Sequence, residues 1–241
     1  MTGSQRRHPT REAVHGAAGA AGDRLYDAAA QLKPRLRGWL HAGTLPLAIV
    51  AGIVLVALSP TPTSRIGSAV FAGSAILLFA GSAVMHRGRW SPRVDNALRR
   101  FDHANIFLLI AGTYTPFALL LLDGGSQRVL LSLVWAGALA GIAFRIFWLG
   151  APRWVYTPVY LAMGWAAVFW FGDFAQSASA AVLTLMIVGG ALYSIGGLVY
   201  GLQRPDPAPR WFGFHELFHT FTIIAFATHY VGISIATYSL R

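Results

Sequence analysis

Seven long apolar runs divide the 241-residue sequence. A helix needs roughly 20 such residues to cross the ~30 Å hydrocarbon core of a bilayer, and a helix satisfies its own backbone hydrogen bonds there. The alternating pattern of a membrane barrel is absent, and 55% of the residues are hydrophobic while 12% are charged. The sequence therefore predicts an all-α membrane protein, a bundle of seven transmembrane helices. The runs cover residues 39–58, 66–85, 103–122, 129–148, 154–171, 180–202 and 212–238.

The positive charges are distributed unequally between the two sides of this bundle. If the N-terminus is cytoplasmic, the cytoplasmic segments hold 16 of the 19 Lys and Arg residues, as the positive-inside rule requires. The sequence therefore predicts a cytoplasmic N-terminus, a C-terminus outside, and a multi-pass protein of the plasma (inner) membrane. The net charge of +10 then reflects orientation and attraction to anionic lipid. No basic patch interleaved with aromatic residues indicates nucleic-acid binding.

Composition also divides the chain into two regions. Residues 1–37 are polar and basic, with an Ala- and Gly-rich middle, and are predicted to form a partly disordered cytoplasmic tail. Residues 38–241 form the predicted seven-helix domain. Within it, Gly137 with Gly141 and Gly197 with Gly201 have the four-residue spacing that allows close helix contact, and we expect them to pack inside the bundle. The sequence does not predict an oligomeric state.

The segment His215-Glu216-Leu217-Phe218-His219 places two imidazoles on one helix face. It matches the zinc protease motif H-E-x-x-H. The longer protease motif requires another His six residues after the second, where this chain has Ala225. No Asp or Glu follows Glu216, so further ligands must come from upstream. Glu216 is rotated about 100° from the histidine face, and no base role is predicted for it.

The predicted topology brings upstream polar residues to the same end as this segment. His86 ends the second span, Asp102 begins the third, and His215 and His219 begin the seventh. Ser82 lies one turn before His86 on the same face. Because the chain contains no cysteine, three imidazoles with an oxygen donor or water make a zinc site the predicted metal centre. The other histidines of the spans lack partners at ligand spacing and are interpreted as packing or interface residues: His41, His103 and His229.

Three segments together resemble the hemolysin III family. They are Ser82-Ala83-Val84-Met85-His86, the stretch from Arg100 through Asp102 to Pro116, and Phe214-His215-Glu216-Leu217-Phe218-His219. The resemblance extends from about Lys33 to the end of the chain. That family belongs with the progestin and adipoQ receptors and is more distantly similar to the alkaline ceramidases.

The resemblance implies a zinc ion near the cytoplasmic face, held by His86, His215 and His219. It also implies that Ser82 and Asp102 contact the water on that metal, and that membrane lipid is the substrate or ligand. In the related ceramidases such a site is associated with hydrolysis of a lipid amide. Asp102 is then the candidate for proton exchange, and Ser82 the candidate orienting or oxyanion-contacting group. Two alternatives stay open, a receptor-like sensor of membrane state with structural zinc and a cytolytic haemolysin.

Overall fold

The computed structural model of the protein describes residues 34–240. Seven helical segments in that range are long and apolar enough to cross a membrane, which confirms the predicted seven-helix bundle. The predicted tail, residues 1–37, lies outside the described residues except for its last four. The fifth span combines a helix at Arg153–Gly164, a 3₁₀ turn at Ala166–Trp170 and a short helix at Phe171–Ser177. The helices are α1 (Trp39–Ala57), α2 (Pro62–Arg87), α3 (Pro92–Leu121), α4 (Gly124–Phe147), α5 (Arg153–Gly164), α6 (Phe171–Ser177), α7 (Ala180–Leu202) and α8 (Phe214–Tyr238).

Three helices, α2, α3 and α4, begin at least four residues before their apolar runs. At the start of α2, Thr61 and Ser64 exchange bonds, each side-chain oxygen accepting from the other's backbone N–H at 3.1 Å. This reciprocal cap satisfies donors that the first turn leaves free. The first turns of α3 are polar, and Arg99 pairs with Asp95 one turn earlier at 2.7 Å. Hydrophobicity alone does not detect such turns, because they lie beyond the apolar part of the helix.

The fifth span is interrupted, whereas the sequence predicted one continuous run. The Tyr114 hydroxyl of α3 donates to the Gly164 carbonyl at 2.7 Å and accepts from the Ala167 N–H at 2.9 Å. Trp165, at the same place, donates its indole N–H to Ser194 of α7 at 2.8 Å. A side chain inserted between backbone donor and acceptor is a known cause of a helix break.

Helix α3 lies at the centre of the bundle. In its most apolar 18-residue window 67% of residues are buried, against 22% in α1. Outward-facing side chains are apolar, and Leu47 and Ile53 of α1 are 70% and 63% exposed. Since apolar side chains on the outer surface suit a lipid solvent, the exposure pattern matches that of a membrane bundle.

The spaced glycines pack inside the bundle, as predicted. A Cβ atom on Gly141 of α4 would overlap the Phe107 ring of α3. One on Gly201 of α7 would lie 3.2 Å from Thr157 of α5. These contacts let neighbouring helices approach closely.

Candidate metal centre

Three histidines converge where α1 and α8 begin and α2 ends, which we call the histidine end. The Nε2 atoms of His86 and His215 lie 3.1 Å apart. The His219 ring centre lies 4.5 Å from that of His215 and 5.4 Å from that of His86. One nitrogen from each ring falls within 4.8 Å of the others. The three predicted metal ligands are therefore brought together from two helices far apart in sequence.

The donor set fits a zinc ion. Tetrahedral zinc with Zn–N distances of about 2.0–2.1 Å holds its ligand nitrogens about 3.3 Å apart, close to the His86–His215 spacing. The Nδ1 atom of His219 is buried and has no hydrogen-bond partner within the described chain. Three neutral imidazoles are an ordinary zinc ligand set. Among residues 34–240 the converging ligand group contains these three histidines alone.

Glu216 fixes the first turn of α8, which carries two of the ligands. Its side chain is fully buried and accepts from Arg37 Nε at 3.0 Å. Its second oxygen accepts from the backbone N–H of Gly213 at 2.9 Å. Both oxygens are thus used structurally, and this agrees with the prediction that Glu216 has no base role.

The last residues of the predicted tail are bound to the loop that precedes α8. The Arg35 N–H donates to the Arg210 carbonyl at 3.1 Å, and the Leu36 N–H to the Trp211 carbonyl at 3.2 Å. The Arg35 guanidinium lies 4.4 Å from the centre of the Trp211 ring. Residues 34–37 therefore form a short strap across the histidine end.

His41 belongs to the cluster as a stacking partner. Its ring lies 3.8 Å from that of His219 at an angle of 14°, and both its nitrogens are buried without hydrogen bonds within the described chain. Nearby, Gly38 has φ of 80°, and a Cβ there would lie 2.7 Å from His86 Cβ. His41 is a packing histidine as predicted, but the residue it packs on is a candidate ligand. The sequence feature that could have placed His41 beside the candidate ligands was its position at the start of the first span, at the same level as His86.

Ser82 and Asp102 line one cavity with His219. The cavity has a volume of about 200 Å³ and reaches far into the bundle. The Ser82 hydroxyl is buried and makes no hydrogen bond of standard geometry within the described chain, although the Asp102 carboxyl lies near enough to interact with it. The predicted pair therefore faces the same space as His219, one of the three candidate ligands.

The cavity reaches the outer surface of the bundle beside the broken fifth span. Three of its lining residues are Trp165, Val168 and Ile187, which are 43%, 55% and 46% exposed. Val168 lies in the 3₁₀ turn, and Ile187 lies on α7. The break in the fifth span thus leaves an apolar side opening toward the region that lipid would occupy.

The other two span histidines lie away from the cluster. His103 accepts from Arg145 at 3.0 Å, so it points away from its neighbour Asp102 as expected. His229 packs deep in α8, with Nε2 3.2 Å from the Met186 carbonyl. Neither belongs to the converging ligand group.

Comparison with known proteins shows the family to which the chain belongs. The family described as "Haemolysin-III related" matches residues 29–230. The chain belongs to the Haemolysin-III related family. It is 36% identical over 154 residues to "Hemolysin-3 homolog" of Bacillus subtilis (strain 168), covering 64% of this chain and 69% of that protein. It is 31% identical over 153 residues to "Hemolysin-3" of Bacillus cereus, with the same coverage. Membership of the Haemolysin-III related family confirms the resemblance seen in the sequence.

Proposed function

We propose that this protein is a zinc-dependent lipid hydrolase of the plasma membrane that cleaves a lipid amide bond at the histidine end. One observation carries the proposal. Ser82 and Asp102 share one apolar cavity with His219, and the nitrogens of His86 and His215 lie within 4.8 Å of a nitrogen of that same histidine.

The proposed chemistry divides between the metal and the chain. His86, His215 and His219 would hold zinc, which supplies Lewis acidity toward a carbonyl and acidifies water. Asp102 takes a proton from the attacking water and returns it to the departing amine. Ser82 orients the scissile group by hydrogen bonding to its oxygen. The buried His41 ring excludes water from one face of His219.

The shape of the cavity supports a lipid as substrate. Its wall includes Leu109, Phe117 and Met186, which suit an acyl chain. The opening beside the fifth span lets such a chain enter from the bilayer without passing through water. The polar groups lie at the histidine end, where a headgroup linkage would come to rest.

The two alternatives have less support from the geometry. A structural metal in a receptor-like sensor would be enclosed by a fourth protein ligand, whereas the ligand group within residues 34–240 consists of three histidines. The relatives' name suggests cytolysis, but a pore would require a polar stripe along several spans. The described cavity is mainly apolar away from the histidine end.

We expect purified protein to contain about one zinc per chain. His86→Ala, His215→Ala or His219→Ala should reduce zinc to near background, because two imidazoles hold the ion poorly. Inductively coupled plasma mass spectrometry measures the metal, and thermal unfolding reports whether each variant folds. The matched control is His229→Gln, a buried histidine on the same helix, which should keep its zinc. A folded wild type without metal would disprove the site.

We expect Asp102→Asn to keep zinc but to lower turnover of a lipid amide by roughly 10²–10⁴-fold, the usual contribution of a positioned acid–base group. Turnover is followed by release of fatty acid from a panel of lipid amides in micelles. Asp123→Asn, at an exposed position before α4, is the control and should keep full activity. Undiminished turnover in Asp102→Asn would remove that carboxyl from the mechanism.

A further inference from the structure

Arg145 is a buried cation that forms no ion pair with any residue of the described range 34–240. It lies in the last turn of α4 and is 1% exposed, and its Nε and Nη1 atoms have no hydrogen-bond partner in the described chain. Among residues 34–240 its one hydrogen bond is from Nη2 to His103 Nδ1, at 3.0 Å. The ion pairs among residues 34–240 are elsewhere, Arg37–Glu216 and Arg99–Asp95. Burying an unpaired charge costs several kcal/mol, so Arg145 needs a further partner.

A polar pocket lies beside this guanidinium at the histidine end. It has a volume of about 480 Å³ and is lined by three arginines, Arg99, Arg145 and Arg153. Asp95 is the one acidic residue in its lining, and the Arg99 guanidinium already pairs with it at 2.7 Å. The pocket is therefore net positive, and its rim is open because Arg99 is exposed.

Several of the remaining donors of the pocket make long contacts with their acceptors. His103 Nε2 and the Tyr156 hydroxyl each lie 3.4 Å from the Tyr200 hydroxyl. Arg153 Nη1 lies 3.4 Å from the Tyr200 carbonyl, and the Gln203 amide oxygen can also accept from Arg153. The Arg145 guanidinium also lies 4.4 Å from the centre of the Tyr156 ring. The 3.4 Å contacts are at the long limit for hydrogen bonds, so His103 Nε2 and the Tyr156 hydroxyl can turn toward a better acceptor, while Arg153 can share its donors between Gln203 and a new acceptor.

We infer that this pocket, the arginine pocket, binds a phosphate group. Guanidinium forks match the oxygens of phosphate geometrically, and charge-assisted bonds are the strong ones. A phosphate in the pocket has enough acceptor oxygens to engage both Arg145 and Arg153, which line it. The group is either free phosphate or the headgroup of an anionic phospholipid, since the pocket lies at an end of the spans.

The arginine pocket and the cavity lined by Ser82, Asp102 and His219 share one side chain in their walls. Tyr200 lines both spaces, and its ring centre lies 5.7 Å from that of His215. A phosphate that bonds the Tyr200 hydroxyl would hold this shared wall in place. The inference does not rest on the metal or on hydrolysis, because it concerns residues outside the histidine cluster.

Binding is tested on the full chain in a phosphate-free maltoside detergent. Inorganic phosphate is titrated at constant ionic strength while tryptophan fluorescence follows thermal unfolding, with chloride as the comparison salt. We expect a saturating rise in Tm with phosphate and no comparable rise with chloride. Arg153→Gln should weaken the apparent affinity roughly tenfold, the loss of one charge-assisted hydrogen bond. Arg145→Gln should abolish the rise in Tm with phosphate. If Arg145→Gln does not fold, because Arg145 is buried, Arg153→Gln still tests the inference.

The control variant is Arg93→Gln, an exposed cation on the same helix as Arg99 that does not line the pocket. It should respond to phosphate as the wild type does. A second arm measures retention of phosphatidylglycerol, by mass spectrometry, after reconstitution in phosphatidylcholine with and without phosphatidylglycerol. Retention that Arg153→Gln weakens and phosphate displaces identifies a lipid headgroup, and a Tm response without retention identifies free phosphate. The inference is overturned if neither appears, or if Arg93→Gln and Arg153→Gln lose the response equally.

Discussion

Glu216 shows how one residue can match a motif and serve another purpose. In H-E-x-x-H proteases the glutamate is a general base, but here both carboxylate oxygens are engaged, one by Arg37 and one by the Gly213 N–H. The residue therefore ties the strap at residues 34–37 to the helix that carries His215 and His219. Its two carboxylate oxygens thus hold the first turn of the helix that carries two of the candidate ligands.

We expect Glu216→Gln to lower the free energy of unfolding by about 1–3 kcal/mol, because it removes a charged partner from a buried hydrogen bond. Thermal unfolding measures the change, and zinc content should stay near the wild-type value. Arg37→Gln should cost a similar amount, and the double variant should cost less than the sum if the two residues interact directly. Asp206→Asn is the control, since that exposed side chain can still accept from the Phe214 N–H. Additive losses would contradict the proposed pairing.

At the scale of the helices, the break in the fifth span shapes the cavity. The apolar run from Trp154 onward contains no charged residue before Asp173, so a continuous helix was the natural prediction. The interruption depends on the Tyr114 hydroxyl, which belongs to another helix. A single distant side chain thus turns a continuous span into α5, a 3₁₀ turn and α6.

We expect Tyr114→Phe to destabilise the fold by about 1–3 kcal/mol, since it leaves the Gly164 carbonyl and the Ala167 N–H without their shared partner. Hydrogen exchange at residues 164–170 should increase, and Tm should fall by several degrees. The control is Thr113→Val, which removes a neighbouring hydroxyl that bonds only the Leu109 carbonyl of its own helix. Equal changes in both variants would show that the inserted hydroxyl has no special effect on the break.

For the whole molecule, the positions of the charges and of the exposed tryptophans indicate the same orientation of the bundle in the membrane. Among residues 34–240 the histidine end carries all of the Arg residues except Arg65 and Arg128, and the positive-inside rule would place that end in the cytoplasm. Trp39, Trp154 and Trp211 lie at this end and are 55%, 77% and 53% exposed. Exposed tryptophans are typical of the boundary between lipid and water, so the metal centre is expected just inside the cytoplasmic boundary.

We expect a reporter fused after Arg241 to appear outside the cell and one fused before Met1 to appear in the cytoplasm. A pair consisting of alkaline phosphatase, active outside, and green fluorescent protein, fluorescent inside, measures both ends in intact cells. The reason is the excess of positive charge at the histidine end, which resists translocation. Fluorescence from the C-terminal fusion would contradict the orientation.

Much of the fold and the convergence of the three candidate metal ligands could be predicted from the sequence, because both depend on local patterns. Apolar runs set the number of spans, and the spacing of His215 and His219 places them on one face. Alternating spans bring His86 and Asp102 to the same level. Each inference uses position along a helix, which hydrophobicity and periodicity encode directly.

Only the tertiary structure decided which side chains meet at that level. The stacking of His41 on His219, the bond from Arg37 to Glu216 and the buried Arg145 all depend on how the helices are arranged around one another. That arrangement is set by packing among many similar apolar faces, as where Gly141 meets Phe107. A sequence can therefore predict the depth of a residue in the membrane, whereas its neighbours across the bundle follow from the summed packing of the whole fold.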